Sequence, residues 1–408
     1  MENDGCRPMI IAIDQALPYW EECFSDLGEV RPFAGRELRA EALRDVDALV
    51  VRTVTAVDAS LLEGTAVRFV GAASAGMDHV DRGYLERRGI HFRHAAGCNA
   101  DAVSEYVLAA LHVLARRKGW TLSSKSLAVV GVGNVGSRVA RKAAALGMET
   151  LLCDPPLREA AEKAVSAGGA ASDAARYLPF EEVLGADILT FHVPLAASGP
   201  HPTWHMLGRE ALGSLAPHQL VVNASRGEVC DRLELARALR EKRILGAVLD
   251  VWESEPEIDY PLLELADIGT PHVAGTTLDG KIKAVTMIRE RLCEFLGVSR
   301  PLDTAPFYPE TRRIRLRGGG TAQEAVAEAV RAVYDIEADD AGLRALALLE
   351  KDGRGKSFEQ LRTRHALRPE FPHFVVEPPA PPPSSPPSAG DAARRRLAGI
   401  GFQVDAAP

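Results

Sequence analysis

The sequence predicts an α/β protein with two doubly wound parallel-sheet lobes and a small C-terminal α+β domain. Three observations lead there. Short apolar runs alternate with helix-like segments from residue 9 to about residue 300, the pattern of βαβ units and parallel sheets. That alternation restarts near residue 102, opening with a long amphipathic stretch. Beyond residue 300 it gives way to sparser, mixed elements and a proline run.

The elements follow in order. Met9–Ile13, Ala48–Val51 and Arg68–Ala72 are apolar runs of strand length, separated by helical patterns at Pro18–Leu27 and Asp78–Arg88. Ser104–Arg117 has the 3.6-residue apolar period of a strong amphipathic helix. The second series opens with strand Ser126–Val130, helix Val135–Leu146 and strand Thr150–Cys153. Glu159–Ala175, rich in Ala, Gly and Ser, is expected to be a loose surface insertion with some helix. Strands resume at Asp187–Phe191, Gln219–Asn223, Leu245–Leu249 and Asp267–Gly269, followed by a helix over Leu278–Leu296. In the last hundred residues Arg312–Leu316, His373–Val376 and Phe402–Val404 alternate like strands, while Ala322–Tyr334 and Ala392–Leu397 are helical. Pro378–Pro387 holds seven prolines, which suits an extended loop.

With 408 residues the chain is expected to divide into two or three domains. We expect a first lobe of residues 1–101 that regains residues 276–300, a second lobe of 102–275, and a C-terminal domain of 301–408. A hydrophobic share of 46%, a charged share of 25% and a net charge of −8 describe a soluble protein without a nucleic-acid footprint. The basic clusters Arg116–Lys118 and Arg394–Arg396 are expected to be solvated helix faces. Six scattered cysteines without a C-x-x-C pair argue against disulfides or a metal site, and no segment resembles a signal peptide or a membrane span. A cytoplasmic location is expected.

Residues 131–136 read Gly-Val-Gly-Asn-Val-Gly. The motif alone is weak, but it follows an expected strand and opens an expected helix, as the Rossmann-like dinucleotide fingerprint requires. Gly131 allows the tight turn, Gly133 lets the backbone approach a pyrophosphate, and Gly136 lets helix and strand pack closely. The amides of Asn134 and Val135 at the helix start can meet the phosphate charge. Asp154 ends the next expected strand, 18 residues beyond Gly136. A carboxylate there suits ribose hydroxyls and repels a 2′-phosphate, which favours NAD over NADP.

Three later segments sit at expected strand ends: NASRG (223–227), LDVWESEP (249–256) and GTPHVAG (269–275). Together they hold the groups needed to oxidise a 2-hydroxy acid. Arg226 offers a planar, permanently charged clamp for the carboxylate. His272 titrates in the range suited to a base. Glu255 can orient the ring and stabilise the imidazolium. Asp250, at its strand end, is placed to contact the nicotinamide end of the cofactor. The lobes are expected to face each other across a cleft holding Arg226 and His272.

The order G-V-G-N-V-G, then Arg226, Glu255 29 residues on and Pro-His272 another 17 on, resembles the D-2-hydroxyacid dehydrogenase family. So do VRTVT (51–55), SAGMDHVD (74–81), GCNADAVSEYV (97–107), LLCDPP (151–156), LTFHVPL (189–195) and DIGTPHVAGTTLDGK (267–281). The resemblance spans almost the whole chain, including a C-terminal region that sets one branch of the family apart. It implies an NAD-dependent enzyme acting on a phosphorylated 2-hydroxy acid, homodimeric through the C-terminal domain. Further implied are substrate contacts at Thr53 and Ser74, and cofactor contacts at Asp154, Val193, Ala224, Ser225, Arg226, Asp250 and Gly275. Thr276 stands where the family carries a substrate-binding tyrosine, Val193 where it carries a threonine, and Thr53 where it carries a serine. Arg52, beside Thr53, is a candidate phosphate ligand. Two other readings remain open: a dehydrogenase for 3-phosphoglycerate or hydroxypyruvate, and an NAD-sensing interaction protein.

Overall fold

Buried apolar strands and amphipathic helices sort into two compact units in the computed structural model, which describes residues 7–166, 175–317, 320–377 and 388–405. One unit comprises residues 1–99 and 277–309, the other residues 100–276 and 310–408. The expected proline-rich loop at 378–387 lies outside the described residues, as does most of the second half of the 159–175 insertion; its first half is helical, within Pro155–Ser166.

The first unit is a parallel sheet of β1 (Ile10–Asp14), β2 (Glu29–Phe33), β3 (Ala48–Val51), β4 (Phe69–Ala72) and β5 (His91–His94) in the order β2-β1-β3-β4-β5. The central strands are apolar because helices cover both faces of such a sheet. The two edge strands were not expected from the sequence. EVRPF and HFRH are only half-buried, so their polar residues hide the period; Pro32 is tolerated because β2 is an edge. Helix Leu278–Leu296 lays Ile282, Val285, Ile288 and Leu292 on the core of this sheet. Gly71 is needed there, since a Cβ would lie 2.4 Å from the side chain of Ile288. Thr277 caps the helix start by accepting from the Gly280 amide, and Gly297 ends it at φ 67°.

The second unit carries a parallel sheet of β6 (Ser126–Val130), β7 (Glu149–Cys153), β8 (Ile188–Phe191), β9 (Leu220–Asn223), β10 (Gly246–Leu249) and β11 (Ile268–Gly269), in the order β11-β10-β9-β8-β6-β7. A parallel bridge from Tyr177 to Leu152 continues the sheet beyond β7. Strand residues alternate between two buried faces: Leu127 and Val129 enter one core, Ala128 and Val130 the other. Helix Ala100–Lys118 packs on the first face and helix Asn134–Ala145 packs beside it.

The residues after 310 form a small α+β region that clusters with the second unit. They add a small parallel sheet of β12 (Arg312–Arg315), β13 (Phe374–Glu377) and β14 (Gln403–Val404). Their apolar side chains Val326, Val330, Phe371, Phe374, Leu397 and Phe402 join the core of the dinucleotide-type sheet. Leu343, Leu346 and Phe358 join its other core. The helices Ile336–Ala345 and Lys351–Thr363 were not apparent in the sequence, because few of their side chains are buried and the second contains two glycines. The Arg116–Lys118 cluster is not a purely solvated face either. Arg116 and Arg117 pair with Glu337, and Lys118 Nζ lies 2.8 Å from Asp267.

A buried charge network ties the late chain to helix Ala100–Lys118. Glu105, wholly buried, accepts the Phe371 amide at 2.8 Å and pairs with Arg368, while Lys142 Nζ approaches it at 3.9 Å. Lys142 also lies over the Phe371 ring, 5.5 Å from its centre. Removing one member of such a network leaves uncompensated buried charge. Glu105→Ala is therefore expected to lower the unfolding free energy by about 3–5 kcal/mol in urea titrations. Arg315→Ala, at a guanidinium 85% exposed, should leave the urea midpoint nearly unchanged. Equal midpoints for the two variants would contradict the network's role.

Candidate active site

The glycine turn sits where the order of the second sheet reverses. β6 pairs with β7 on one side and β8 on the other, so the chain ends at β6 and β8 diverge and leave a crevice for ligands. Gly131, at φ 86°, donates its amide to Cys153 O at 2.8 Å. A Cβ on Gly131 would lie 2.7 Å from His192 O, and one on Gly136 would lie 1.9 Å from Gly131 O. These two glycines are thus required by close backbone approach. Gly133 differs: no atom lies within 4 Å of a Cβ there, which leaves room for a group outside the protein. No side chain caps the start of helix Asn134–Ala145, so the amides of Asn134 and Val135 can receive an anion. Val193 lines the same turn, with its Cγ1 2.8 Å from a Cβ built on Gly131.

Asp154 follows β7 and is half-buried. It accepts the Val132 amide at 2.8 Å through Oδ2 and the Leu157 amide at 3.0 Å through Oδ1. The carboxylate thus joins the glycine turn to the next helix, and each oxygen keeps a lone pair for a ribose hydroxyl. The residues fit a dinucleotide. Nearby His192 hydrogen-bonds Thr190 Oγ1 through Nε2, and burial pushes its pKa down to about 3, so it is neutral.

The three segments holding Arg226, Glu255 and His272 end the adjacent strands β9, β10 and β11 and are joined by hydrogen bonds. Asp250 does most of the joining. Its amide donates to Asn223 O, and its carbonyl accepts the His272 amide at 2.8 Å. Its buried carboxylate accepts Thr270 Oγ1 at 2.7 Å, the Val273 amide at 2.8 Å and the Ala274 amide at 3.0 Å. Tyr106 donates in turn to Thr270 Oγ1 at 2.7 Å. Burial raises the Asp250 pKa, with His272, Thr270 and the two amides opposing the shift.

His272 and Ser254 both take left-handed backbone conformations, at φ 57° and 68°. Such conformations are costly for residues other than glycine and persist where neighbours over-determine them. Here the bonds to Asp250 hold residues 272–274. The result brings His272 Nδ1 to 2.8 Å from Glu255 Oε2, while Glu255 Oε1 accepts the Trp252 amide at 2.9 Å. Trp252 Nε1 donates to Thr270 O at 2.9 Å, locking this loop to the histidine's own segment.

Burial disfavours charge on His272, but the bond and charge of Glu255 outweigh it, so the pKa rises above its ordinary value. Burial would raise Glu255, yet His272 outweighs it and the carboxyl is lowered. The His272 side chain is 33% exposed. With Nδ1 turned to Glu255, Nε2 is the nitrogen left to serve a ligand.

Arg226 stands on the loop after β9. Asn223 organises that loop: its Nδ2 donates to Arg226 O at 2.8 Å and its Oδ1 accepts the Ser225 amide and hydroxyl. Arg226 Nη1 donates to Ser225 O at 2.8 Å. Gly227 lies so close to the next loop that a Cβ would fall 2.1 Å from the Trp252 carbonyl carbon. The Arg226 and Glu255 loops are in backbone contact.

The second unit therefore brings together Arg226, Ala224, Ser225, Asp250, Glu255 and His272, with Gly275 and Thr276 just beyond; the Thr276 amide donates to Val273 O. Thr53 and Ser74 belong to the first unit, each two residues past the end of its strand, β3 and β4. Ser74 Oγ donates to Gly76 O at 2.7 Å. Sequence reasoning passed over Asn223, Trp252 and Thr270, which position the others. The available signal was a polar side chain at the end of an apolar strand, for Asn223 and Thr270.

The D-isomer specific 2-hydroxyacid dehydrogenase NAD-binding domain matches residues 96–274, and a domain of unknown function matches residues 308–384. Among similar sequences is the erythronate-4-phosphate dehydrogenase of Photorhabdus laumondii, 43% identical over 90% of this chain and 94% of its own length. That of Sodalis glossinidius is 44% identical over 90% and 94%. Among solved structures, D-lactate dehydrogenase from Aquifex aeolicus with NAD and lactic acid superposes with a TM-score of 0.56 at 21% identity, covering 71% of this chain and 95% of that one. NAD-bound 3-phosphoglycerate dehydrogenase from Entamoeba histolytica gives 0.58 at 22%, covering 71% and 96%. These two structures bear on the fold alone. The sequence likeness goes further, and the chain belongs to the erythronate-4-phosphate dehydrogenases within the NAD-dependent D-2-hydroxyacid dehydrogenase family of oxidoreductases.

Proposed function

We propose that this chain oxidises 4-phospho-D-erythronate to 2-oxo-3-hydroxy-4-phosphobutanoate, a reaction on the route to pyridoxal 5′-phosphate, with Arg226, Glu255 and His272 as the catalytic residues. The observation that carries this reading is the 2.8 Å contact of His272 Nδ1 with Glu255, on a loop packed directly against the Arg226 loop. NAD, held by the glycine turn, the helix amides of Asn134 and Val135 and Asp154, supplies the hydride acceptor when bound.

Arg226 clamps the substrate carboxylate and draws electron density from the C2 oxygen as it becomes a carbonyl. His272 Nε2 takes the C2 hydroxyl proton as the C2 hydrogen leaves with its electron pair. Glu255 holds the ring in the tautomer that leaves Nε2 free to accept, and stabilises the imidazolium that results. Thr53, Ser74 and Thr276 belong to the reading as substrate contacts. Ala224, Ser225, Val193, Asp250 and Gly275 belong to it as cofactor contacts. Asp250 keeps lone pairs beyond its three protein donors, which supports that role.

The proposed function also includes pairing of two copies through the C-terminal domain of residues 301–408. Leu348, 90% exposed, with Leu349 beside it, supports an apolar contact there. Because these residues share the core of the second unit, deleting them would unmake that core, and a point variant is the better probe. Light scattering should find a dimer for the wild type and a monomer for Leu348→Glu. A monomeric wild type would reject the pairing.

NADH formation measured with 4-phosphoerythronate, against 3-phosphoglycerate as control, tests the substrate. Comparable kcat/KM on 3-phosphoglycerate would reject the assignment.

The pH profile tests the dyad. Oxidation requires neutral His272, so kcat/KM should rise with pH through a pKa held above the ordinary 6.5 by Glu255. Glu255→Gln removes the charge favouring the imidazolium, so the acidic limb should move to lower pH while turnover slows. An unmoved limb would show that the two residues do not act as a pair.

A further inference from the structure

We propose that Tyr106 is a positioning residue of the dehydrogenase site, whose buried hydroxyl acts through Thr270 to hold the Asp250 carboxylate that fixes the His272 turn. The proposal rests on the reading of His272 as the base and deepens it.

Tyr106 lies on helix Ala100–Lys118, wholly buried in the same core as Val103, Val107 and Leu111. A phenylalanine would fill that core equally well, and a buried hydroxyl without a partner costs free energy. The hydroxyl therefore has a reason beyond packing, and its partner supplies one. It lies 2.7 Å from Oγ1 of Thr270, which is itself wholly buried and 2.7 Å from Asp250 Oδ1.

The direction of these two bonds follows from the protons present. A hydroxyl has one proton to donate, and an ionised carboxylate only accepts. Asp250 already accepts the Val273 and Ala274 amides. Thr270 must then give its proton to Asp250 and accept that of Tyr106. Burial holds the phenol pKa well above its ordinary value, so Tyr106 keeps the proton it donates. Each bond in such a chain polarises the next, and this one ends on a carboxylate whose charge burial opposes. The tyrosine ring is steadied from the C-terminal side. The Tyr334 ring centre lies 6.3 Å from its own, the Tyr334 hydroxyl donates to Asp339 Oδ2 at 2.7 Å, and Arg368 lies over the Tyr334 ring at 4.8 Å.

The chain reaches His272 rather than Arg226. Asp250 binds the amides of residues 273 and 274 through its carboxylate and the His272 amide through its carbonyl. Arg226 is aimed by Asn223 on its own loop. Without the phenol hydroxyl, Thr270 loses its donor and is free to turn from Asp250. That loosens the base and leaves the clamp on the substrate carboxylate in place.

The test is steady-state kinetics of the full chain with 4-phosphoerythronate at saturating NAD, with urea midpoints as the check on folding. The variants are Tyr106→Phe, Thr270→Val, Thr270→Ser and the double variant Tyr106→Phe/Thr270→Val. Tyr106→Phe should lower kcat about 3- to 10-fold, the worth of one neutral hydrogen bond, while KM stays near the wild-type value. Thr270→Val should lower kcat at least as far. The double variant should be no slower than Thr270→Val alone, because without the threonine hydroxyl the phenol has nothing to act through. Thr270→Ser keeps that hydroxyl and should retain most of the turnover. An unchanged kcat in Tyr106→Phe overturns the proposal. So do a rise in KM alone, a double variant whose losses multiply, and a Tyr106→Phe chain that does not fold. His272→Ala separates the two readings. If it retains turnover, the base assignment falls; if it is inactive while Tyr106→Phe is unimpaired, only the role of Tyr106 falls.

Discussion

The carboxylate of Asp250 is buried at the end of β10 and burial opposes its charge. It is held there by three donors, the Thr270 hydroxyl and the Val273 and Ala274 amides. Those same bonds give the chain after β11 no freedom to leave its left-handed turn at His272. A buried acceptor that lost these donors would face a desolvation cost of about 1–3 kcal/mol or more, so the turn and the carboxylate stabilise each other. Everything else at the site depends on this. The bond of His272 to Glu255 requires the ring to project from that turn, and Trp252 holds Glu255 while tying its loop back to Thr270.

Glycine acts at this site through close approach rather than flexibility. Gly131, Gly136 and Gly227 each stand where a Cβ would strike backbone atoms under 3 Å away. The first two bring the helix start against the strand end, where its amides can face a phosphate. Gly227 brings the Arg226 loop against the loop of Glu255. The cation, the carboxylate and the imidazole therefore stand on backbone segments in direct contact, the kind of support that keeps a reacting geometry from loosening.

The C-terminal residues belong to this same unit. Their aromatic side chains complete the core under the sheet, and Glu105 secures them through Arg368, Lys142 and the Phe371 amide. Helix Ala100–Lys118 thus connects two roles. Glu105 on it holds the late chain, and Tyr106, the next residue, holds Thr270 in the Asp250 network.

The sequence alone determined the periodic and local features. Buried parallel strands are nearly continuous apolar runs, so the central strands of both sheets stood out, and helix Leu278–Leu296 is bounded by a threonine cap and a glycine that mark its ends by local chemistry. The glycine turn was equally readable, since its constraint acts within six residues. The edge strands β2 and β5 were not, because half-exposed strands lose the apolar signal. Nor was the attachment of the C-terminal residues, because a core that draws its side chains from Val103 to Phe402 leaves no local period. The site divides the same way. Arg226, Glu255 and His272 could be singled out by residue type and order, whereas the positions that aim them, Asn223, Trp252 and Thr270, bond to groups brought near only by strand pairing.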